Sequence, residues 1–153
     1  MTRVLVPYSE RMKTLLKNPD KFYQPNVRPS GHDIAKAFRK DNGGAIPPNL
    51  LQIPNTDSNS HYFRTCKLLG QNSHPARFPP ELPKFFIKFL TEPGDIVVDI
   101  FSGSNTTGQV AEELQRNWLS IELERDYAAL SAIRFMEGWD EGSIRSTLDE
   151  IKQ

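Results

Sequence analysis

The stretch VVDIFSGSNTTG, Val97 to Gly108, constrains the fold of this chain more than any other. It belongs to a short, almost continuous apolar run, DIVVDIF, rich in β-branched residues, which is the pattern of a buried parallel strand. The run leads into a glycine turn and then into TTGQVAEEL, where Thr106 or Thr107 can open a helix. That helix has Val110, Ala111 and Leu114 on its inner face and ends near Asn117. Strand, glycine turn and helix in that order give the context in which G-x-G-x-x-G cradles a nucleotide. Here the middle position is Asn105, between Gly103 and Gly108. Asparagine is the next best residue to glycine at a positive φ, so Asn105 is expected to keep the backbone shape of the turn.

Regular patterning continues around this stretch. HPARFPPELP is a proline-rich lead-in, and ELPKFFIKFL places Leu82, Phe85, Phe86, Phe89 and Leu90 on one helical stripe that Pro93-Gly94 stops. WLSIEL reads as a second strand, and DYAALSAIRFM as a helix with Tyr127, Leu130, Ile133 and Arg134 at helical spacing. GSIRSTLDEIKQ adds a short terminal helix capped by Ser143. Helix, strand, helix, strand, helix is the start of a doubly wound α/β sheet. The first half is less regular: SERMKTLLK predicts a helix from Ser9 to Lys17, with Ser9 as N-cap and Met12, Leu15 and Leu16 on one face. A long tract dense in Pro, Gly, Asn and Ser follows, with one helical turn at Asp33 to Arg39. Ile34, Phe38, Ile46, Leu50, Leu51 and Ile53 give it apolar anchors, which favours ordered loops over disorder.

The 153 residues suffice for one modest core plus a lobe. No apolar run is long enough for a membrane span, and Met1 to Lys13 has no signal-peptide core. Cys66 is the single cysteine, and no Cys/His cluster has zinc spacing, so a cytoplasmic protein without a metal is expected. The formal charge of zero hides an uneven distribution. Residues 1–73 carry 11 Lys/Arg against 5 Asp/Glu, and residues 74–153 carry 8 against 14. A basic segment joined to an acidic one is what a nucleic-acid-facing lobe on a soluble core would give, with ordinary surface variation as the bland alternative.

Two carboxylates bear on the ligand of the turn. Glu122 lies at the end of the second strand, 23 residues after Asp99, where a carboxylate can accept hydrogen bonds from ribose hydroxyls. Asp99, beside the turn, would repel the pyrophosphate of NAD or FAD. S-adenosylmethionine (AdoMet) has no phosphate and carries an ammonium and a sulfonium, so Asp99 tilts the reading toward AdoMet. A loop-capping role for Asp99 and a solvated strand end for Glu122 remain open beside this. An NAD-dependent enzyme is the weaker alternative, and it requires NAD binding that survives Asp99→Ala.

HPARFPPELPKFFIKFLTEPGDIVVDIFSGSNTTG followed by WLSIELERDY closely resembles the cofactor-binding end of bacterial amino-methylating DNA methyltransferases. The wider set PYSERMK, RPSGHDI, GGAIPPNLLQIPN and HPARFP is similar to the PvuII-type cytosine-N4 enzymes (beta group) of restriction-modification systems, and covers the chain to about Met136. The resemblance implies a partial Rossmann-like AdoMet-dependent methyltransferase fold over residues 74–153, preceded by a loop-rich target-recognition segment over 1–73. It implies that His74, Pro75, Ala76, Arg77 and Phe78 close over the methionine end of AdoMet. Asp99, Phe101, Ser102, Gly103, Ser104, Asn105 and Thr106 would hold its amino-acid part and Glu122 its ribose. Arg28, Ser30, His32, Lys36, Arg39, Lys40 and Asn42 are the corresponding candidates for contact with double-stranded DNA.

Amino methylation in that family also needs [SDN]-P-P-[YFW], which hydrogen-bonds the amine of a flipped-out base and stacks on its ring. The two Pro-Pro pairs, Pro47-Pro48 in AIPPNL and Pro79-Pro80 in RFPPEL, lack the flanking residues and read as rigid turns. The chain therefore resembles the C-terminal part of such an enzyme. It is expected to be inactive alone, with a complementary polypeptide supplying the catalytic motif. A non-catalytic AdoMet- or DNA-binding module and a fragment of an adenine-N6 methyltransferase are the alternatives.

Overall fold

Residues 4–19, 40–55 and 59–152 are described by the computed structural model. The chain divides into two compact units, Met1–Leu51 and Gln52–Gln153. The change from basic to acidic sequence at His74 thus falls inside the second unit.

In the first unit, helix α1 (Glu10–Lys17) starts where SERMK predicts, with the Ser9 hydroxyl accepting from the Met12 N–H. It buries none of its residues. Val6 and Ala45 form an antiparallel bridge, and the Tyr8 hydroxyl accepts from the Asn42 N–H at 2.9 Å. The bridge brings backbones so close that a Cβ on Gly44 would lie 2.8 Å from both Leu5 Cβ and the Val6 carbonyl oxygen. Ile46 and Leu50, expected as anchors, are mostly exposed. The expected turn at Asp33 to Arg39, with Ile34 and Phe38, lies outside the described residues.

The second unit begins with a helix that the sequence did not suggest, α2 (His61–Leu68). Tyr62 and Cys66, one turn apart, join Leu69 against Leu130, Ile133, Met136, Ile144 and Leu148 in one core cluster. In α3 (Glu81–Leu90) the expected stripe is turned away from the core. Pro83 and Ile87 face inward, while Phe86, Phe89 and Leu90 are exposed. Pro83 fits because the first-turn N–H groups have no intrahelical acceptor to lose. Strand β1 (Ile96–Asp99) pairs in parallel with β2 (Asn117–Ser120), with Val97 opposite Trp118 and Val98 opposite Leu119. Between them α4 (Thr106–Glu113) buries Val110 and Ala111 completely, and these join Ile87, Val97, Leu114 and Trp118 in a second cluster.

Helix α5 (Arg125–Ser131) tightens into a 3₁₀ turn, Ala132–Phe135, whose Phe135 ring stacks on Trp118 with centroids 5.0 Å apart. The last helix, α6 (Glu141–Ile151), is capped by Asp140 rather than by Ser143. The Asp140 carboxylate accepts from both the N–H and the hydroxyl of Ser143, three residues into the turn. The fold is mixed α/β, as expected, with one qualification. The run DIVVDIF predicts a buried parallel strand, yet Ile96 and Val98 of β1, with Leu119 of β2, on the side opposite Val97 and Trp118, are 55–68% exposed. Among the described residues no helix is long and apolar enough to cross a membrane.

Candidate cofactor site

The turn after β1 is held by side chains from three directions. At its start, Asp99 accepts from the Phe101 N–H at 3.1 Å and from the Thr107 hydroxyl at 2.6 Å, tying the strand end to the first turn of α4. At its end, Asn105 sits at φ 58°, ψ 42°, the left-handed conformation expected of a glycine surrogate. Its side chain does what glycine cannot. Oδ1 caps α4 by accepting from the Gly108 N–H at 3.0 Å and also accepts from the Ser120 hydroxyl on β2 at 2.6 Å. From the far side, Glu122 accepts from the Gly103 N–H at 2.7 Å and the Glu124 N–H at 3.0 Å.

The Glu124 N–H, followed by that of Gly103, holds the Glu122 carboxyl below its ordinary value. A depressed folded-state value stabilises the turn above the unfolded-state value, and this contribution fades as pH falls through the folded one. Amide exchange at Gly103, extrapolated for its intrinsic acid dependence, is therefore expected to accelerate on acidification below the usual carboxylate range. Glu122→Gln should flatten that dependence.

Facing the turn is the loop His74–Phe78. The His74 ring lies against Gly103, where a Cβ would come within 3.1 Å of it, and meets Tyr127 edge-on with centroids 4.6 Å apart. Nδ1 of His74 is 2.7 Å from the Ala76 carbonyl oxygen. Arg77 donates to the Ser73 hydroxyl and the His74 carbonyl, and its guanidinium covers the Phe63 ring at 5.1 Å. Loop and turn enclose a cavity of about 510 Å³.

The sequence-derived residues distribute unevenly around that cavity. His74, Pro75, Ala76, Arg77 and Phe78 line one side, and Phe101, Ser102, Gly103, Ser104 and Thr106 the other. Asp99, Asn105 and Glu122 are not in the lining; each braces the turn through hydrogen bonds. Asn55 also lines it and was not anticipated, because a polar residue in an irregular stretch carries no periodic signal. Of the DNA candidates, Lys40 and Asn42 are exposed in the first unit, while Arg28, Ser30, His32, Lys36 and Arg39 lie outside the described residues.

Residues 2–133 match a family model described as DNA methylase. The chain is 63% identical over 137 residues to the type II methyltransferase M.PvuII of Proteus hauseri, covering 90% of this chain and 41% of that protein. It is 36% identical to M.BglII of Bacillus subtilis, over 95% of this chain and 42% of the relative. A solved structure of the PvuII DNA methyltransferase (cytosine-N4-specific) superposes with a TM-score of 0.66 at 55% identity, covering 70% of this chain and 38% of that one. The chain thus spans about two fifths of the length of these curated relatives.

Proposed function

Because the chain belongs to the DNA methylase family, we propose that it is the cofactor-binding and target-recognising part of a site-specific cytosine-N4 DNA methyltransferase. The observation that carries this reading is the cavity between the His74–Phe78 loop and the Phe101–Thr106 turn, sized for a small-molecule ligand. A phosphate-free ligand suits it. A dinucleotide turn offers the first N–H groups of its helix to a pyrophosphate, whereas here the Gly108 N–H is already taken by Asn105. AdoMet supplies an electrophilic methyl group on a sulfonium sulfur. The Phe78 and Phe101 rings offer apolar surface to the adenosine, and Ser102, Ser104 and Thr106 give the turn wall hydroxyl-bearing residues that suit the polar amino-acid end. Glu122 keeps lone pairs for ribose hydroxyls beyond the two N–H groups it binds.

The nucleophile in this reading is the exocyclic amine of a cytosine turned out of duplex DNA. Its [SDN]-P-P-[YFW] cradle belongs to polypeptide outside these 153 residues, since neither Pro-Pro pair has the required neighbours. In the fold, Pro80 of the second pair is the N-cap of α3. The exposed apolar side of the two-stranded sheet supports the same view, because parallel strands are ordinarily covered on both faces.

Labelled AdoMet and duplex DNA supplied to the chain together with a polypeptide carrying that motif should yield N4-methylcytosine, and the chain alone should yield none. Absence of methylated cytosine from the mixture would sink the proposal. Label in N6-methyladenine would replace cytosine with adenine as the target.

A further inference from the structure

One buried polar cluster touches both walls of the cavity without lining it. Tyr62 of α2, 1% exposed, accepts the His74 N–H at its hydroxyl (3.2 Å), at the start of the loop wall. Arg134 of the 3₁₀ turn, 8% exposed, donates Nε–H to the Ser104 carbonyl and Nη2–H to the Ser104 hydroxyl (2.9 Å), in the turn wall. Its Nη1–H goes to Gln109 Oε1 of α4 at 2.8 Å, so the same guanidinium fixes turn and helix together. The two residues meet, with the guanidinium carbon 4.7 Å from the centre of the Tyr62 ring.

We propose that Tyr62 and Arg134 form a buried clamp that sets the separation of the His74 loop and the Ser104 turn, as positioning residues for the methyl donor. This rests on the AdoMet reading of the cavity. The parts have distinct jobs. The fork of the guanidinium reaches a carbonyl and a hydroxyl of one residue, which a lysine ammonium cannot reproduce in the same plane. Its face lies on the phenol, so the cation is stabilised by the ring while it is removed from water. The Tyr62 hydroxyl carries the constraint across to the loop. Burial pushes this phenol up to about 12, so it is protonated and neutral around neutral pH. A wall fixed by a buried network loses little freedom when ligand binds, and that raises affinity without any contact to the ligand.

Tyr62→Phe keeps the ring under the guanidinium and removes only the hydroxyl; Arg134→Lys keeps the charge and removes the fork. AdoMet affinity of the full chain, measured by equilibrium dialysis, should fall about fivefold for the first and about tenfold for the second. Amide exchange should accelerate at His74 in Tyr62→Phe and across residues 102–106 in Arg134→Lys, with Val110 and Ala111 in the core unchanged. A loss of general stability would instead raise exchange in all of them. Affinities within twofold of wild type would overturn the clamp, as would unchanged exchange at His74 and the turn. If wild type itself binds no AdoMet, the cofactor reading fails, and the exchange pattern alone decides whether the clamp sets the two walls.

Discussion

Gly108→Ala is expected to lower the stability of the second unit by roughly 2–4 kcal/mol and to abolish AdoMet binding. A Cβ at this position would lie 2.3 Å from Oδ1 of Asn105 and 2.8 Å from its Cγ and Nδ2. Asn105 cannot swing aside cheaply. It is 2% exposed, its backbone is left-handed, and its Oδ1 serves both the Gly108 N–H and the Ser120 hydroxyl. Moving it uncaps α4 and takes the acceptor from the part-buried Ser120 hydroxyl, and Ser104 and Thr106 on either side of it line the cavity. The glycine at 108 is thus the counterpart of the asparagine at 105. Asn105→Gly keeps the left-handed turn and removes the obstruction, so the Asn105→Gly, Gly108→Ala double variant should be about 1 kcal/mol or more stabler than Gly108→Ala alone. Urea unfolding of the four proteins closes the cycle. Additive losses would show that the clash is not what makes Gly108 necessary.

That pairing illustrates how much the sequence disclosed. The order of strand, turn, helix and strand was legible because apolar periodicity and glycine punctuation are local signals. The positive φ of Asn105 was legible for the same reason. Its two hydrogen bonds were not, since one partner lies on β2, 15 residues away. Helix α2 escaped notice because His, Tyr, Phe, Thr and Cys have modest helix propensity; the contacts of Tyr62 and Cys66 with α5 and α6 stabilise it. In α3 the phenylalanines and the Pro83–Ile87 pair give competing stripes, and periodicity alone does not say which one meets a core. Asp99 read as a selector of ligand charge, whereas in the fold both its oxygens fasten the turn. Arg134 stood at core spacing among apolar residues, a signal that a buried cation needed acceptors nearby, but nothing local named Ser104 as one.

The open side of the sheet provides the second large expectation. Val98 and Leu119 are directly opposed across β1 and β2, and each is 55% exposed. Replacing them together, Val98→Lys with Leu119→Glu, puts a complementary ion pair on an exposed position. The fold of this chain should therefore survive, with its stability changed by less than about 1 kcal/mol. Methylation reconstituted with the motif-bearing polypeptide should nevertheless fall by at least about 100-fold. Covering that face would bury the charges at a cost of several kcal/mol, or leave the two parts apart. Val98→Ile with Leu119→Met, similar in volume and apolar, should retain activity. Circular dichroism of the lone chain and sedimentation of the mixture separate the two effects. Full activity in the charged variant would mean that this face stays in water and that the rest of the enzyme joins the chain elsewhere.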